Sequence, residues 1–310
     1  MSTTKLQSSG AFALANPNSK AKATAMGMLF IILAVLGFSG LDATAKALVG
    51  SYSAPQIAWV RFFGQVVIVC LILGPKMRKV IRTDSPGLQV TRAFCQMGAA
   101  TCFFFSLNFI GLAEATALEQ LSPVLIMLGA SLFLGETLGR HRIIGITVAM
   151  AGALIILRPG SDVFTLAALL PLATAALFAA SALLARHMGP KESSWTPMLW
   201  SAIVCTLVMG GAQPFIWQPI AMADLPLFAV AAICGTAAQL CLFRAYALTE
   251  ASILAPFAYL GLLFATLWGI IVFGEWPDGA TLAGMLVIAG SGLYVWHSET
   301  RGARRAVEQN

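Results

Sequence analysis

LAEATALEQLSPVLIMLGASLFLGETLGRHRIIGITVAMAGALIIL, residues 112–157, is echoed by LTEASILAPFAYLGLLFATLWGIIVFGEWPDGATLAGMLVIAGSGLYVW, residues 248–296. Glu114 aligns with Glu250 and Ala115 with Ala251. After a three-residue insertion, Leu128 falls on Leu267, Gly135-Glu136 on Gly274-Glu275, Gly145 on Gly284 and Val148 on Val287. Apolar sequence of low complexity yields chance matches, so the weight rests on Gly-Glu and on the shared spacing to the next glycine. The chain reads as a duplication.

Each copy contains two apolar segments, and the rest of the chain is built alike. Of the 310 residues, 58% are hydrophobic and 10% charged, against about 25% charged in an ordinary soluble domain. The mean hydropathy is +0.83. A soluble fold of this size needs polar surface that this composition lacks, so an all-α polytopic membrane protein is expected. Ten spans are expected, at residues 25–48, 55–74, 88–110, 114–134, 141–158, 164–186, 195–217, 225–246, 251–273 and 279–297. No stretch alternates with period two, which argues against a β-barrel.

Basic residues orient the spans. With the N-terminus in the cytoplasm, the inner loops and tails hold fourteen Lys or Arg, among them Lys76, Arg78, Lys79, Arg82, Arg140 and Arg142, and the outer loops hold only Arg158. That bias is the positive-inside pattern, and it accounts for the net charge of +6 better than a nucleic-acid partner does. Both termini are then cytoplasmic. Residues 1–24 and 298–310 are read as tails, 25–158 as the first five-helix repeat and 159–297 as the second. The six cysteines lie inside apolar segments without a CxxC pair, so neither a disulfide framework nor a metal site is expected.

The matching pairs of spans are the fourth and fifth and the ninth and tenth. An offset of five forces opposite orientations, so the repeat is inverted. Inverted repeats around a midplane site are the architecture of secondary transporters, because the two halves can exchange inward and outward conformations.

Ten spans, the duplication, and LSPVLIMLGASLFLGE (121–136) with its echo FAYLGLLFATLWGIIVFGE (257–275) resemble the drug/metabolite transporter superfamily, EamA type. Lys46, then Pro55 and Trp59-Val60-Arg61-Phe62, match that family's Lys…Pro…Arg-Phe pattern. The resemblance spans residues 25–297 and implies an inner-membrane carrier with a central cavity lined by spans 1, 3, 4, 6, 8 and 9. Among bacterial members the chain is most similar to the YddG-type amino-acid exporters.

Charges inside spans cost roughly 2.5–3.5 kcal/mol each on insertion scales. Arg92 and Arg244 lie near span ends, where snorkelling is expected. Asp42, Lys46, Arg61 and Glu119 fall at similar depth in the outer half and sum to zero. Two readings stand: Asp42 pairs with Lys46 at i, i+4 and Arg61 with Glu119, or the four line the outer mouth and take up the ammonium and carboxylate of an amino acid. Glu119 lies in LEQLSP, where Pro123 frees a helix carbonyl. The mirrored stretch ILAPFAYL holds Pro256 and Tyr259. These two interrupted helices are the expected hinges and gates. Ser39, Asn108, Gln120, Gln239, Phe103, Phe104 and Trp200 are the candidate cavity residues near the midplane, and Trp195, Trp217, Trp276 and Trp296 the expected interfacial anchors.

A catalytic set at depth is missing: His141, His187 and His297 lie at span ends, and Asp42 is the only deep aspartate. With no Walker motif, ATP is not the expected energy source. The expectation is a monomeric secondary transporter in the lipid bilayer, without cofactor or metal. It moves amino acids, aromatic or other neutral ones, or similar small amphipathic metabolites across the inner membrane, outward and by alternating access. Uptake of another metabolite is the alternative, a channel or scramblase a more distant one, and protons the open coupling ion.

Overall fold

The computed structural model describes residues 17–135, 139–159, 166–188, 195–249 and 251–308. Eleven helices are named here: α1 (Pro17–Val49), α2 (Ala54–Leu73), α3 (Pro86–Ser106), α4 (Leu112–Glu119), α5 (Ser122–Leu134), α6 (Arg140–Leu157), α7 (Leu170–Met188), α8 (Trp195–Ile216), α9 (Leu225–Leu248), α10 (Leu260–Phe273) and α11 (Gly279–Glu308). They correspond to ten spans, because α4 and α5 form one interrupted span and residues 251–259 lead into α10 to form another. Nine spans among the described residues are long and apolar enough to cross a membrane. The remaining one is α3, whose first turns carry Gln89, Arg92 and Gln96. It is held in the bundle by α7, α8 and α2.

The helices run past the expected spans at both ends. Helix α1 begins at Pro17, inside the stretch expected to be a disordered tail, and proline suits a helix's first position because its missing N–H has no partner there anyway. Helix α11 runs on to Glu308, through the expected C-terminal tail. Glu136 and Glu250, aligned above with Glu275 and Glu114, and Lys5 and Lys191, two of the fourteen basic residues expected on the inner side, lie outside the described residues.

Helix α1 packs on α9 and α10, α3 on α7 and α8, α2 on α8 and α9, α5 on α7, α4 on α10, and α6 on α11. Exchanging each span with the one five places later carries this set of pairings onto itself. Details repeat as well. Gly135 and Gly274 both end their helices with a left-handed backbone, φ 70° and 66°, a conformation that glycine adopts at no steric cost. Gly145 lies against Val295 and the Ser291 carbonyl, and Gly284 against Ile156 and the Gly152 carbonyl. Small residues here let the α6 and α11 backbones approach closely, which is how helices associate where lipid offers no hydrophobic drive.

Part of the bundle is stitched rigidly. On the face where α1 ends and α2 begins, Gln56 donates to the Gln218 carbonyl at 2.7 Å and accepts from the Gln218 N–H at 3.0 Å. Tyr52 donates to Asp224 Oδ2 at 2.7 Å, and Trp59 donates from Nε1 to the Thr206 carbonyl at 3.0 Å. Arg92 does not snorkel: it is buried and donates to the Pro197 carbonyl at 2.7 Å and to Ser201 Oγ at 3.1 Å. Arg244 is exposed. Helices α2, α3 and α8 thus form a frame held by side-chain bonds into backbone.

Candidate functional site

Asp42 lies seven residues before the end of α1 (49 − 42), Arg61 seven after the start of α2 (61 − 54), and Glu119 seven after the start of α4 (119 − 112). At 1.5 Å per residue all three sit about 10 Å below the same face. Each is enclosed on all sides by protein, yet each keeps accessible surface. Arg61 interacts electrostatically with Asp42 and Glu119. Among the described residues, however, no ion pair within 4.0 Å joins it to either carboxylate. Its Nε has no hydrogen-bond partner, and the guanidinium rests over the Phe62 ring at 4.9 Å. On the far side, Gly235 of α9 makes room for it: a Cβ there would stand 3.2 Å from Arg61 Nε.

Lys46 is not Asp42's partner. Its ammonium reaches 2.7 Å to Glu275 Oε1 and donates to the Ile110 carbonyl at 3.0 Å, while Glu275 Oε2 accepts from the Leu112 N–H at 3.3 Å. The expected i, i+4 pair therefore gives way to a latch that ties the end of α1 to the starts of α4 and of the 274–278 loop. A carboxylate across the mouth wins because Lys46, one turn nearer the helix end, can satisfy charge and hydrogen bonds together there. A second pair, Arg158 with Asp278, ties α6 to the start of α11. Two hydrogen bonds, from Arg158 and the Thr281 N–H, hold the Asp278 carboxyl down at about 2. Both pairs line a cavity of about 610 Å³ at this face, together with Glu114, Asn108 and Trp276.

The two proline-interrupted spans meet. Helix α4 stops at Glu119 and α5 starts at Ser122, with Pro123 in its first turn. Residues 255–259, including Pro256, form a 3-10 turn before α10. Gln120 Nε2 donates to the Ala258 carbonyl at 2.9 Å, so the breaks touch side chain to backbone. Broken helices of this kind free backbone groups at depth only where protein or a cavity satisfies them.

The remaining candidates separate. Ser39 is buried with no partner for its hydroxyl, one turn from Asp42. Gln239 Oε1 accepts from Gln65 Nε2 at 3.2 Å, a bond between α9 and α2. Phe103 and Phe104 are buried in the apolar core around α1, α2 and α3, and act there as packing. Tyr259 lies with its hydroxyl end across Gly292 of α11. Asn108 stands in the exposed turn after α3 and lines the mouth rather than the midplane. Trp200 donates to the Ile81 carbonyl at 2.9 Å, pinning the α2–α3 connection. Sequence reasoning passed over three residues: Glu275, used only as a repeat marker; Gly235; and Thr116, a buried, unpartnered hydroxyl one turn from Glu119. The i−3 spacing of Thr116 from Glu119 was the available signal.

The EamA-like transporter family matches residues 25–158 and again residues 165–296. A riboflavin transporter of Rhizobium johnstonii is 30% identical over 285 residues, covering 90% of this chain and 94% of that protein. An S-adenosylmethionine uptake transporter of Rickettsia bellii is 23% identical over 94% of this chain and all of its own. The pseudopaline exporter CntI of Pseudomonas aeruginosa is 28% identical, with 84% and 93% covered. None of these three is an amino-acid exporter of the YddG type. A solved crystal structure, 16% identical, has the same fold at a TM-score of 0.63, with 92% of this chain and 99% of that one covered. With two family matches over its apolar helices and full-length transporter relatives, the chain is a multi-pass inner-membrane transporter that belongs to the EamA-like transporter family of the drug/metabolite transporter superfamily.

Proposed function

We propose that the protein is a secondary transporter that moves amino acids or similar small amphipathic metabolites across the inner membrane by alternating access, in the direction of export. The observation that carries this reading is a guanidinium at depth, Arg61, that interacts with Asp42 and Glu119 yet forms an ion pair with neither. A guanidinium held apart from two carboxylates is complementary to a zwitterion: carboxylate to Arg61, ammonium to the acids. Glu119 ends α4 at one of the two touching helix breaks, the kind of place where transporters bind solutes.

The self-consistent exchange of span pairings supports two inverted five-helix repeats, and the distribution of Lys and Arg supports cytoplasmic termini. In that orientation the Lys46–Glu275 pair serves as the latch of the outer mouth. The stitched helices α2, α3 and α8 serve as frame. The interrupted spans at 112–134 and 251–273 serve as the moving gates, hinged near Pro123 and Pro256.

A second reading, uptake of a larger cofactor-like metabolite, is favoured by the names of the riboflavin and S-adenosylmethionine relatives. Proteoliposomes decide between them. Labelled amino acids, riboflavin and S-adenosylmethionine are offered singly, with and without unlabelled solute inside. Counterflow of an amino acid above empty liposomes is expected; counterflow of riboflavin or S-adenosylmethionine alone would replace the substrate class.

A further inference from the structure

The cavity of about 610 Å³ at the mouth is of the size that small-molecule sites have. Among the described residues, five charged side chains line it: Lys46, Arg158, Glu114, Glu275 and Asp278. Two bases against three acids leave a formal sum of −1. Both bases are committed. Lys46 donates to Glu275 and to the Ile110 carbonyl and stands over the Phe273 ring, 5.6 Å from its centre, and Arg158 holds Asp278. Glu114 interacts electrostatically with both bases and with Asp278, yet no ion pair within 4.0 Å joins it to either base. Its carboxylate accepts from the Gly111 N–H and so caps the first turn of α4. That bond takes one of the roughly four acceptor sites a carboxylate has.

The polar capacity left over is of one kind. The Asn108 amide donates to the Phe105 carbonyl at 3.1 Å, which leaves its Oδ1 as an acceptor. Glu275 and Asp278, both partly exposed, keep lone pairs beyond those used by their bases and by the Leu112 and Thr281 N–H groups. The mouth thus offers acceptors and surplus negative charge to a ligand that donates and is positive. It also offers aromatic surface. Trp276 and Phe109 line it and are 78% and 54% exposed, so Trp276, expected as an interfacial anchor, belongs to the mouth. Aromatic faces attract cations within about 6 Å of the ring centre, and Lys46 over Phe273 is one such contact already made there. An anion would meet three carboxylates, and a neutral solute would leave the extra charge unanswered.

We propose that the mouth is a binding site for an organic cation, an ammonium on an apolar body, with its charge at Glu114 and Asn108 and its body against Trp276 and Phe109. The site is separate from the deep groups, and the ligand is held there whether or not it is the solute carried. A dissolved amine and the headgroup of phosphatidylethanolamine present the same ammonium, and a mouth at the helix ends is within reach of both.

The test uses the full chain in dodecyl maltoside, a neutral detergent without ammonium groups, at about pH 7, where alkylamines are ionised. The reporter is Gly50→Cys in a background lacking the six native cysteines. Gly50 lines the cavity, and a Cβ there meets nothing within 4 Å, so the mouth tolerates the thiol. Its labelling by an uncharged polyethylene-glycol maleimide is timed with 2-phenylethylamine, 2-phenylethanol or phenylacetate present. The saturating amine should slow labelling about threefold or more, and the alcohol and the acid should leave it close to the unliganded rate. The half-protecting amine concentration should rise about tenfold in Glu114→Gln, whose amide oxygen still accepts from the Gly111 N–H, and about threefold in Trp276→Leu. Phosphatidylethanolamine or phosphatidylglycerol is then doped into the micelles. Protection by the first alone assigns the ammonium to a headgroup; protection by neither assigns it to a dissolved amine. No protection by the amine, equal protection by the alcohol, or a Glu114→Gln curve within about twofold of the parent overturns the site. So does loss of protection in Glu119→Gln but not in Glu114→Gln, which would place the amine at depth.

Discussion

Neutralising Glu275 should open the mouth without unfolding the bundle. In Glu275→Gln the ion pair to Lys46, 2.7 Å long, becomes a neutral hydrogen bond, while an amide oxygen can still accept from the Leu112 N–H. At an effective dielectric of about 20 the bare attraction at this distance is about 6 kcal/mol. Most of it is cancelled by desolvation, since the Lys46 side chain is only 8% exposed, and by screening at Glu275, whose side chain is 38% exposed. A charge-assisted bond is worth about 1.5–3 kcal/mol and a neutral one about 1 kcal/mol, so the substitution weakens the closed state by about 1–2 kcal/mol. At 1.4 kcal/mol per tenfold, the mouth-open population rises about 5- to 30-fold. The reporter is Ser39→Cys in a background lacking the six native cysteines, labelled by a membrane-impermeant maleimide from the Lys46 side. Labelling should quicken by that factor. Lys46→Met should do the same, and the double variant should add little, because both changes remove one latch. A labelling rate within twofold of the parent in folded, inserted protein would refute the latch.

Arg61→Lys keeps the charge but loses the planar fork that matches a carboxylate; counterflow of a zwitterion should weaken at least tenfold while thermal stability moves little, and unchanged transport would remove Arg61 from the site. Gln120→Ala cuts the bond to the Ala258 carbonyl that couples the two helix breaks; the maximal transport rate should change more than substrate affinity, which kinetic counterflow resolves. Gly284→Leu sets a side chain where a Cβ already stands 2.8 Å from the Gly152 carbonyl; separating α6 from α11 should cost about 2–4 kcal/mol, read as a lowered Tm in detergent. Asp278 is held at about 2 by Arg158 and Thr281, below its ordinary 3.8. A depressed carboxyl contributes stability above its unfolded value and loses it as pH falls through its folded one, so the contribution is constant from about pH 5 to 8 and vanishes between about pH 4 and 2. With 52% of its side chain exposed, Asp278→Asn should cost under about 1 kcal/mol.

Hydropathy placed the spans, because every backbone group in lipid must be satisfied within a helix and each crossing therefore leaves a long apolar run. The two Gly-Glu pairs stood out because a left-handed helix end admits glycine most readily, at Gly135 and at Gly274 alike. Pro123 and Pro256 announced the breaks through their missing N–H groups. The depth of Asp42, Arg61 and Glu119 was also legible, from residue counts along helices whose rise is fixed. Their pairing was not. Helical periodicity sets Asp42 and Lys46 on one face and makes them look like partners, but it carries no information about which distant helix end faces that stripe. Only the packing of α1 against α10 brings Glu275 to Lys46. That one contact takes Lys46 away from Asp42 and turns it into a tie between helices.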